Sequence, residues 1–341
     1  EKVGTMRLAL QAQLFFLPFL LRLCCVECQF ERVQEAITWG GNSLGELGRD
    51  YTILKSISPA AVSAIHQYDV KMVAAGYSHA LVLLTDGRVL SWGGNQCGQL
   101  GRRTTGSSFA SVPDFVLGLG KNDTIAKPEA SDGVPPGIKV VGITASYCHS
   151  LAYTDDGRVL SWGSNYFGQL GRDLGEREYS IWPGLVALPA YAGFIIQTAA
   201  GGCNSDKASF SLALSIDGQI FSWGANDKRQ LGRSFSLRQD QTPRLVMFPV
   251  LGSGPVVKTV DIKKIAAGGH FAMGLSQDGK VYTWGTNSTG QLGRFYKTSD
   301  RESCLLPNNA TASCSGTPAP AELPYASDGA EDGMFVDIDC G

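Results

Sequence analysis

The chain alternates short apolar runs with polar, glycine-bearing turns, and the same order of the two returns along its length. Near residue 80 the run Ala80-Leu81-Val82-Leu83-Leu84 breaks at Asp86-Gly87 and is answered by Val89-Leu90-Ser91-Trp92. Asp-Gly between two apolar runs predicts a β-hairpin, because Gly takes a positive φ without a Cβ clash. The small residues Ala74-Ala75-Gly76 lead into it, and a turn of the form Asn-x-x-Gly-Gln-Leu-Gly, ending at Gly101, leads out. Outside the N-terminus no stretch carries a convincing 3.6-residue apolar period. The chain therefore reads as all-β, with helical content close to nil.

The unit at 86–102 recurs at 156–172, 217–233 and 278–294, and its second half appears earlier at 37–49. Each full copy carries the hairpin pair: Asp86-Gly87, Asp156-Gly157, Asp217-Gly218 and Asp278-Gly279. A Trp follows the Asp by six positions at Trp92, Trp162, Trp223 and Trp284, and Trp39 holds that place in the partial copy. An Arg follows the Trp by ten, at Arg49, Arg102, Arg172, Arg233 and Arg294. Unslipped spacing joined by variable connectors is the mark of a repeat array. One hairpin cannot bury its own face. Four-stranded units around an axis give a β-propeller, which limits its exposed edges. The Trp-Gly pair, placed here on the fourth-position strand, is expected to wedge between neighbouring blades.

The pattern Ala-Gly-x-x-His, then Asp-Gly-x-Val-x-Ser-Trp-Gly-x-Asn-x-x-Gly-Gln-Leu-Gly, resembles the repeat of the regulator-of-chromosome-condensation family from about Ile37 onward. The resemblance implies a seven-bladed propeller. Met334-Phe335-Val336 matches a blade's opening strand, as in Lys71-Met72-Val73. The expectation is thus an incomplete propeller, about five of seven blades, with residues 35–341 as the propeller, truncated at its C-terminal end, and residues 1–30 as a separate apolar segment. Thr38-Trp39-Gly40 is placed to complete a last blade.

Within the first segment, Met6-Arg7 precedes an apolar stretch at 8–23 and the cysteines Cys24, Cys25 and Cys28. Two readings stand: a signal peptide, or an N-terminal extension whose apolar helix packs on the propeller. Arg22 argues against a stable membrane span. The first places the protein in the secretory pathway or outside the cell, the second in the cytoplasm or nucleus. The connectors at 103–137 and 175–192, the latter holding Trp182, are expected to be loops, and 301–324 shows little regular pattern. Residues 202–207 are about six extra residues in the fourth copy, expected as a loop tip or bulge.

Candidate chemistry is sparse. His79 and His149 share a frame position with Phe210 and Phe271, so they read as structural rather than catalytic or metal-binding. Cys97, Cys148, Cys203 and Cys340 hold different frame positions and read as small buried residues. Cys304 and Cys314 are a possible disulfide in a secreted protein. Asn122, Asn287 and Asn309 head glycosylation sequons, but Asn287 belongs to the repeat's own turn, where backbone capping is expected. The five repeat arginines have two readings, internal pairing or an arc docking an acidic partner. No catalytic, cofactor-binding or metal-binding residue is expected, and no cofactor. A net charge of −2 argues against general nucleic-acid binding.

The function expected is a non-catalytic scaffold that binds a protein partner. The alternative is a guanine-nucleotide exchange factor for a small Ran-like GTPase, as the family's founding member is. That member releases nucleotide with a wedge from one blade, and the insertions at 103–137 and 202–207 are the candidates for it here. An ultraviolet sensor is rejected, because the Gly-Trp-Arg-His-Thr pattern of that relative is absent and five of six Trp belong to the repeat.

Overall fold

The computed structural model describes residues 4–5, 35–49, 51–104, 108–120, 134–135, 137–202, 208–233, 237–248, 260–294, 302–305, 311–321 and 335–339. Its strands form five antiparallel sheets. Blade 1 holds β1 (Gly4–Thr5), β2 (Ile37–Gly41) and β3 (Lys55–Ala61). Blade 2 holds β4 (Val70–Ala75), β5 (His79–Leu84), β6 (Val89–Gly94) and β7 (Phe109–Phe115). Blade 3 holds β8 (Val140–Ala145), β9 (His149–Thr154), β10 (Val159–Ser164) and β11 (Tyr179–Leu185). Blade 4 holds β12 (Ile195–Gly202), β13 (Ser209–Ser215), β14 (Ile220–Ala225) and β15 (Gln239–Leu245). Blade 5 holds β16 (Ile262–Ala267), β17 (Phe271–Ser276), β18 (Val281–Thr286), β19 (Glu302–Leu305) and β20 (Thr311–Pro320). Two short 3₁₀ turns are the helical elements among the described residues.

Two expectations need correcting. The Trp lies on the third strand of its blade, not the fourth: Trp92 is in β6 and Trp162 in β10. Of the fourth strands (β3, β7, β11, β15 and β20), β7 and β11 run through connectors expected to be loops, and β20 through a stretch read as having little regular pattern. Each fourth strand carries a Pro, at Pro59, Pro113, Pro183, Pro243 and Pro318. The ladder slips beside it, opposite the Trp, as between Ser91 and Gly93 or Ser161 and Gly163. Pro cannot donate to a ladder, so it is tolerated on an outer, bulged strand. Trp182, expected in a packed loop, is buried in β11.

The constant Ser or Thr and Asn of the repeat are each explained by a hydrogen bond. Ser91, Ser161, Ser222 and Thr283 donate their hydroxyls to the carbonyls of Leu100, Leu170, Leu231 and Leu292 at 2.7 Å. Asn95, Asn165, Asn226 and Asn287 accept from the same Leu amides. Asn287 is thus a buried cap, as expected. At the hairpins Gly87, Gly157, Gly218 and Gly279 all have φ between 74° and 90°, so only Gly fits without strain.

The core lies between blades. Four hydrophobic clusters span the four seams, and each contains one repeat Trp: Trp92, Trp162, Trp223 or Trp284. These indoles are at most 1% exposed. Each donates Nε1–H to a main-chain carbonyl of the preceding blade's turn, at Glu46, Gln99, Gln169 and Gln230. The wedge is therefore both apolar and hydrogen-bonded, as a buried Trp requires.

Candidate partner-binding face

Antiparallel pairing places the turn after the first strand and the turn after the third on one end of each blade. The Asp-Gly hairpin and the inter-blade connector lie on the other. The hairpin end is charged and self-paired: Arg88 reaches Asp86 at 2.7 Å, Lys280 reaches Asp278 at 2.8 Å, and Arg158 pairs with Asp156. The Arg158 and Lys280 hydrogen bonds hold Asp156 and Asp278 down at about 2.

The opposite end is tyrosine-bearing. Tyr77, in the first turn of blade 2, is 60% exposed and packs on Tyr147 of the equivalent turn in blade 3, with ring centroids 5.2 Å apart. The Tyr77 amide donates to the Ser146 carbonyl, which ties the two turns together. Cys148, next to Tyr147, is disulfide-bonded to Cys97 in the long turn of blade 2, with Cα atoms 6.0 Å apart. The expectation that these cysteines are merely small buried residues is corrected. Their turns belong to different blades, and only the seam brings them together. Tyr166 in the next turn is 52% exposed, and its phenol donates to Glu178, which pushes its pKa up. Arg103 lies over the Trp182 ring, 5.8 Å from its centroid. No signal in the repeat marks these tyrosines, since they sit at its variable positions.

The repeat arginines are used within the blades. Arg102, Arg172 and Arg233 are 7%, 6% and 4% exposed. Their guanidiniums donate to the Ser91 and Val112 carbonyls, the Ser161 and Trp182 carbonyls, and the Ser222 carbonyl with the Asp240 carboxylate. Arg49 is half-buried and donates to the Thr38 carbonyl in the same way, while Arg294 is half-buried. Burial pulls the Arg102 and Arg233 pKa values down, with Asp114 and Asp240 opposing. For Arg102, Arg172 and Arg233 the geometry favours internal bonding over an arc that docks a partner, because each guanidinium clamps the bulge between third and fourth strands.

The histidines are structural, with a rule behind them. His79 Nε2 is 2.9 Å from Ser150 Oγ, and His149 Nε2 is 2.9 Å from Ser211 Oγ, each across a seam. Those hydroxyls donate to the Gln99 and Gln169 carbonyls. Having spent its one hydrogen, each hydroxyl accepts, so the imidazoles carry their proton on Nε2. Burial drives both histidines down to about 3. At the next seam Phe210 faces Ala272 instead. The ring is His where the following blade offers a hydroxyl and Phe where it does not.

A recess of about 340 Å³ lies along the inner strands, lined among others by Met72, Ile143, Ile196, Gln197 and Lys264. Gln197 spends its side chain on both main-chain groups of Ile265, and Lys264 pairs with Asp337. Cys314 is buried and disulfide-bonded. The expected partner Cys304 has a side chain outside the described residues, as do the segment 6–34, the sequons at Asn122 and Asn309, Cys203, Cys340 and most of the insertion, 203–207. The insertion emerges on the tyrosine-bearing end, where β12 and β13 extend to pair Gly202 with Ser209. Among the described residues no helix is long and apolar enough to cross a membrane.

Residues 35–341 match the family model of the RCC1-like domain. The chain is 30% identical over 288 residues to the human regulator of chromosome condensation, covering 81% of this chain and 60% of that protein. It is 32% identical over 262 residues to the human probable E3 ubiquitin-protein ligase HERC6, covering 75% and 22%. Against the Arabidopsis ultraviolet-B receptor UVR8 the identity is 30%, covering 76% and 50%. The chain thus spans between about a fifth and three-fifths of these relatives. Human WBSCR16 superposes with a TM-score of 0.67 at 22% identity, over 90% of this chain and 65% of that one. Yeast Prp20p, from a study of its binding to Gsp1p and histones, gives 0.63 at 23%, over 85% and 61%.

Proposed function

The chain belongs to the RCC1-like domain family, and from that premise we propose that it is a non-catalytic scaffold whose tyrosine-bearing end binds a protein partner. The observation that carries this is the Tyr77–Tyr147 pair with Tyr166, exposed on turns stapled together by Cys97–Cys148. Tyrosine supplies large contact area at low entropic cost, and pre-organised turns lower the cost of binding. The repeat's own Ser, Asn and Arg side chains are engaged within the blades, which leaves the variable turns to carry recognition. A bond such as Cys97–Cys148 persists in oxidising compartments, which supports the secretory reading over the nuclear one. The test compares capture of partners by the wild type, by Tyr77→Ala with Tyr166→Ala, and by Arg88→Ala with Lys280→Ala on the opposite end. Loss only with the tyrosine pair is expected, and equal capture by all three would defeat the reading.

A second reading is favoured by the insertion on the same end and by two relatives. One is the human regulator already described, and the other is the yeast guanine nucleotide exchange factor SRM1, 29% identical over 69% of this chain and 45% of that protein. Under it the chain accelerates loss of labelled GDP from a Ran-like GTPase at catalytic concentrations, and deleting 203–207 abolishes the effect. An unchanged release rate with the intact chain removes this reading.

A further inference from the structure

At the first three seams the long turn meets the next blade with a glycine. Gly45, Gly98 and Gly168 hold this position with φ of 75°, 76° and 76°. A Cβ on Gly45 would lie 2.5 Å from Ser111 of the next fourth strand, on Gly98 2.8 Å from Ile181, and on Gly168 2.4 Å from Gln241. Blade 4 departs from this. Its residue there is Arg229, with φ of 62°, the one non-glycine of positive φ among the described residues. A side chain in this left-handed region is strained. The seam accommodates it by moving the glycine across. The ladder of blade 5 sets Gly285 opposite Ser315, as Gly93 is opposite Ala110 and Gly163 opposite Ser180. Gly316 is therefore the counterpart of Ser111 and Ile181, and blade 5 presents no Cβ where theirs stand.

The turn that carries Arg229 is also cationic. Between Asn226 and Gln239 it holds Lys228, Arg229, Arg233 and Arg238 against a single acid, Asp227. Asp227 is bonded to its own neighbours, Lys228 Nζ at 2.7 Å and Gln230 Nε2 at 3.2 Å. Arg233 pairs with Asp240 inside the blade. Arg229 is partly exposed and Arg238 is exposed. Asn226 ties the two together: its carbonyl accepts the Arg229 amide at 3.1 Å, and its own amide donates to the Arg238 carbonyl at 2.7 Å. This turn follows a third strand, so both arginines stand on the tyrosine-bearing end.

We infer that Arg229 and Arg238 bind the carboxylates of an acidic peptide segment of the partner, which rests on the tyrosine-bearing end being the docking end. Strained backbone of this kind clusters where a side chain meets a ligand, and the glycine exchange at Gly316 makes room for the side chain that bears it. Guanidiniums recognise carboxylates through paired N–H···O bonds. A peptide fits better than a nucleic acid, because the chain has a net charge of −2 and nucleic-acid binding draws on many phosphate contacts rather than one turn.

The test is fluorescence polarisation of a labelled oligoglutamate peptide. Wild type is expected to bind it, more weakly as salt is raised. Arg229→Gly with Arg238→Ala should weaken binding about tenfold or more, and Arg88→Ala with Lys280→Ala on the opposite end should leave it unchanged. Arg229→Gly alone should raise the melting temperature by about 2–4 °C, because glycine takes the left-handed conformation freely, so its loss of binding is not a loss of folding. A lowered melting temperature would show that Arg229 serves the fold, and it overturns the inference. Binding that ignores both arginine substitutions, an oligonucleotide of matching charge that binds as tightly, or a wild type that does not bind the peptide overturns it equally. The reading of the tyrosine-bearing end is judged apart from these results, by whether Tyr77→Ala with Tyr166→Ala loses partner capture.

Discussion

The seam between blades 2 and 3 contains a hydrogen-bond relay whose energetics can be worked through. Ser150 Oγ accepts from His79 Nε2 and donates to the Gln99 carbonyl, to which Trp162 Nε1 also donates. Both side chains are at most 2% exposed. Ser150→Ala strands the buried His79 N–H, and a buried unsatisfied donor costs about 1–3 kcal/mol. The Gln99 carbonyl keeps its Trp162 bond, so the total should be about 2 kcal/mol. His79→Phe costs less, about 1 kcal/mol, because Ser150 keeps its bond to Gln99 and the His79 Nδ1, which has no partner, is removed. The double variant copies the Phe210–Ala272 seam already present in this chain. It should lie within about 1 kcal/mol of wild type, a coupling of about 2 kcal/mol that independent sites do not show. Urea unfolding followed by Trp fluorescence on all four proteins measures it, with equal denaturant slopes as the condition for comparison. If the two single effects add to within about 0.5 kcal/mol, the relay does not set the choice of His or Phe, and the reasoning fails.

The same histidines set an acid limit. Their folded pKa values are depressed from 6.5 to about 3, so the unfolded chain binds more protons between those values. Stability should be full above pH 6.5 and fall progressively towards pH 3; pH-dependent melting should show this slope, and His79→Phe with His149→Phe should remove most of it. Arg172→Met removes the guanidinium donor to the Ser161 carbonyl and one of two donors to the Trp182 carbonyl, which keeps Ser180 Oγ, and should cost about 1–2 kcal/mol in denaturant unfolding. Capture of a partner by the folded fraction should not change, and its loss would revive the docking arc. Cys97→Ser with Cys148→Ser opens a link across a sequence separation of 51. It should cost about 4 kcal/mol, and dithiothreitol should lower the wild-type melting temperature by more than it lowers the variant's, which keeps the disulfide at Cys314.

The sequence by itself determined the blade. Its constant residues act on neighbours within a few positions: Asn95 caps Leu100 five residues on, and Ser91 reaches Leu100 nine residues on. Such bonds hold the same spacing in every copy, and a repeated spacing is visible in one chain. The Asp-Gly hairpins, the Trp wedge and the structural histidines were legible for that reason. The fourth strands were not, because a bulged outer strand carrying Pro shows neither alternation nor a sustained apolar run. What only the tertiary structure decided lies across the seams. Cys97 meets Cys148, Tyr77 meets Tyr147, and His79 meets a hydroxyl 71 residues away. These pairings join the variable positions of different blades, separated by connectors of unequal length, so no local period records them. Burial also decided the fate of the repeat arginines, whose regular spacing suits an arc of charge as well as an internal clamp. The carbonyls facing Arg102 and Arg172 favour the clamp.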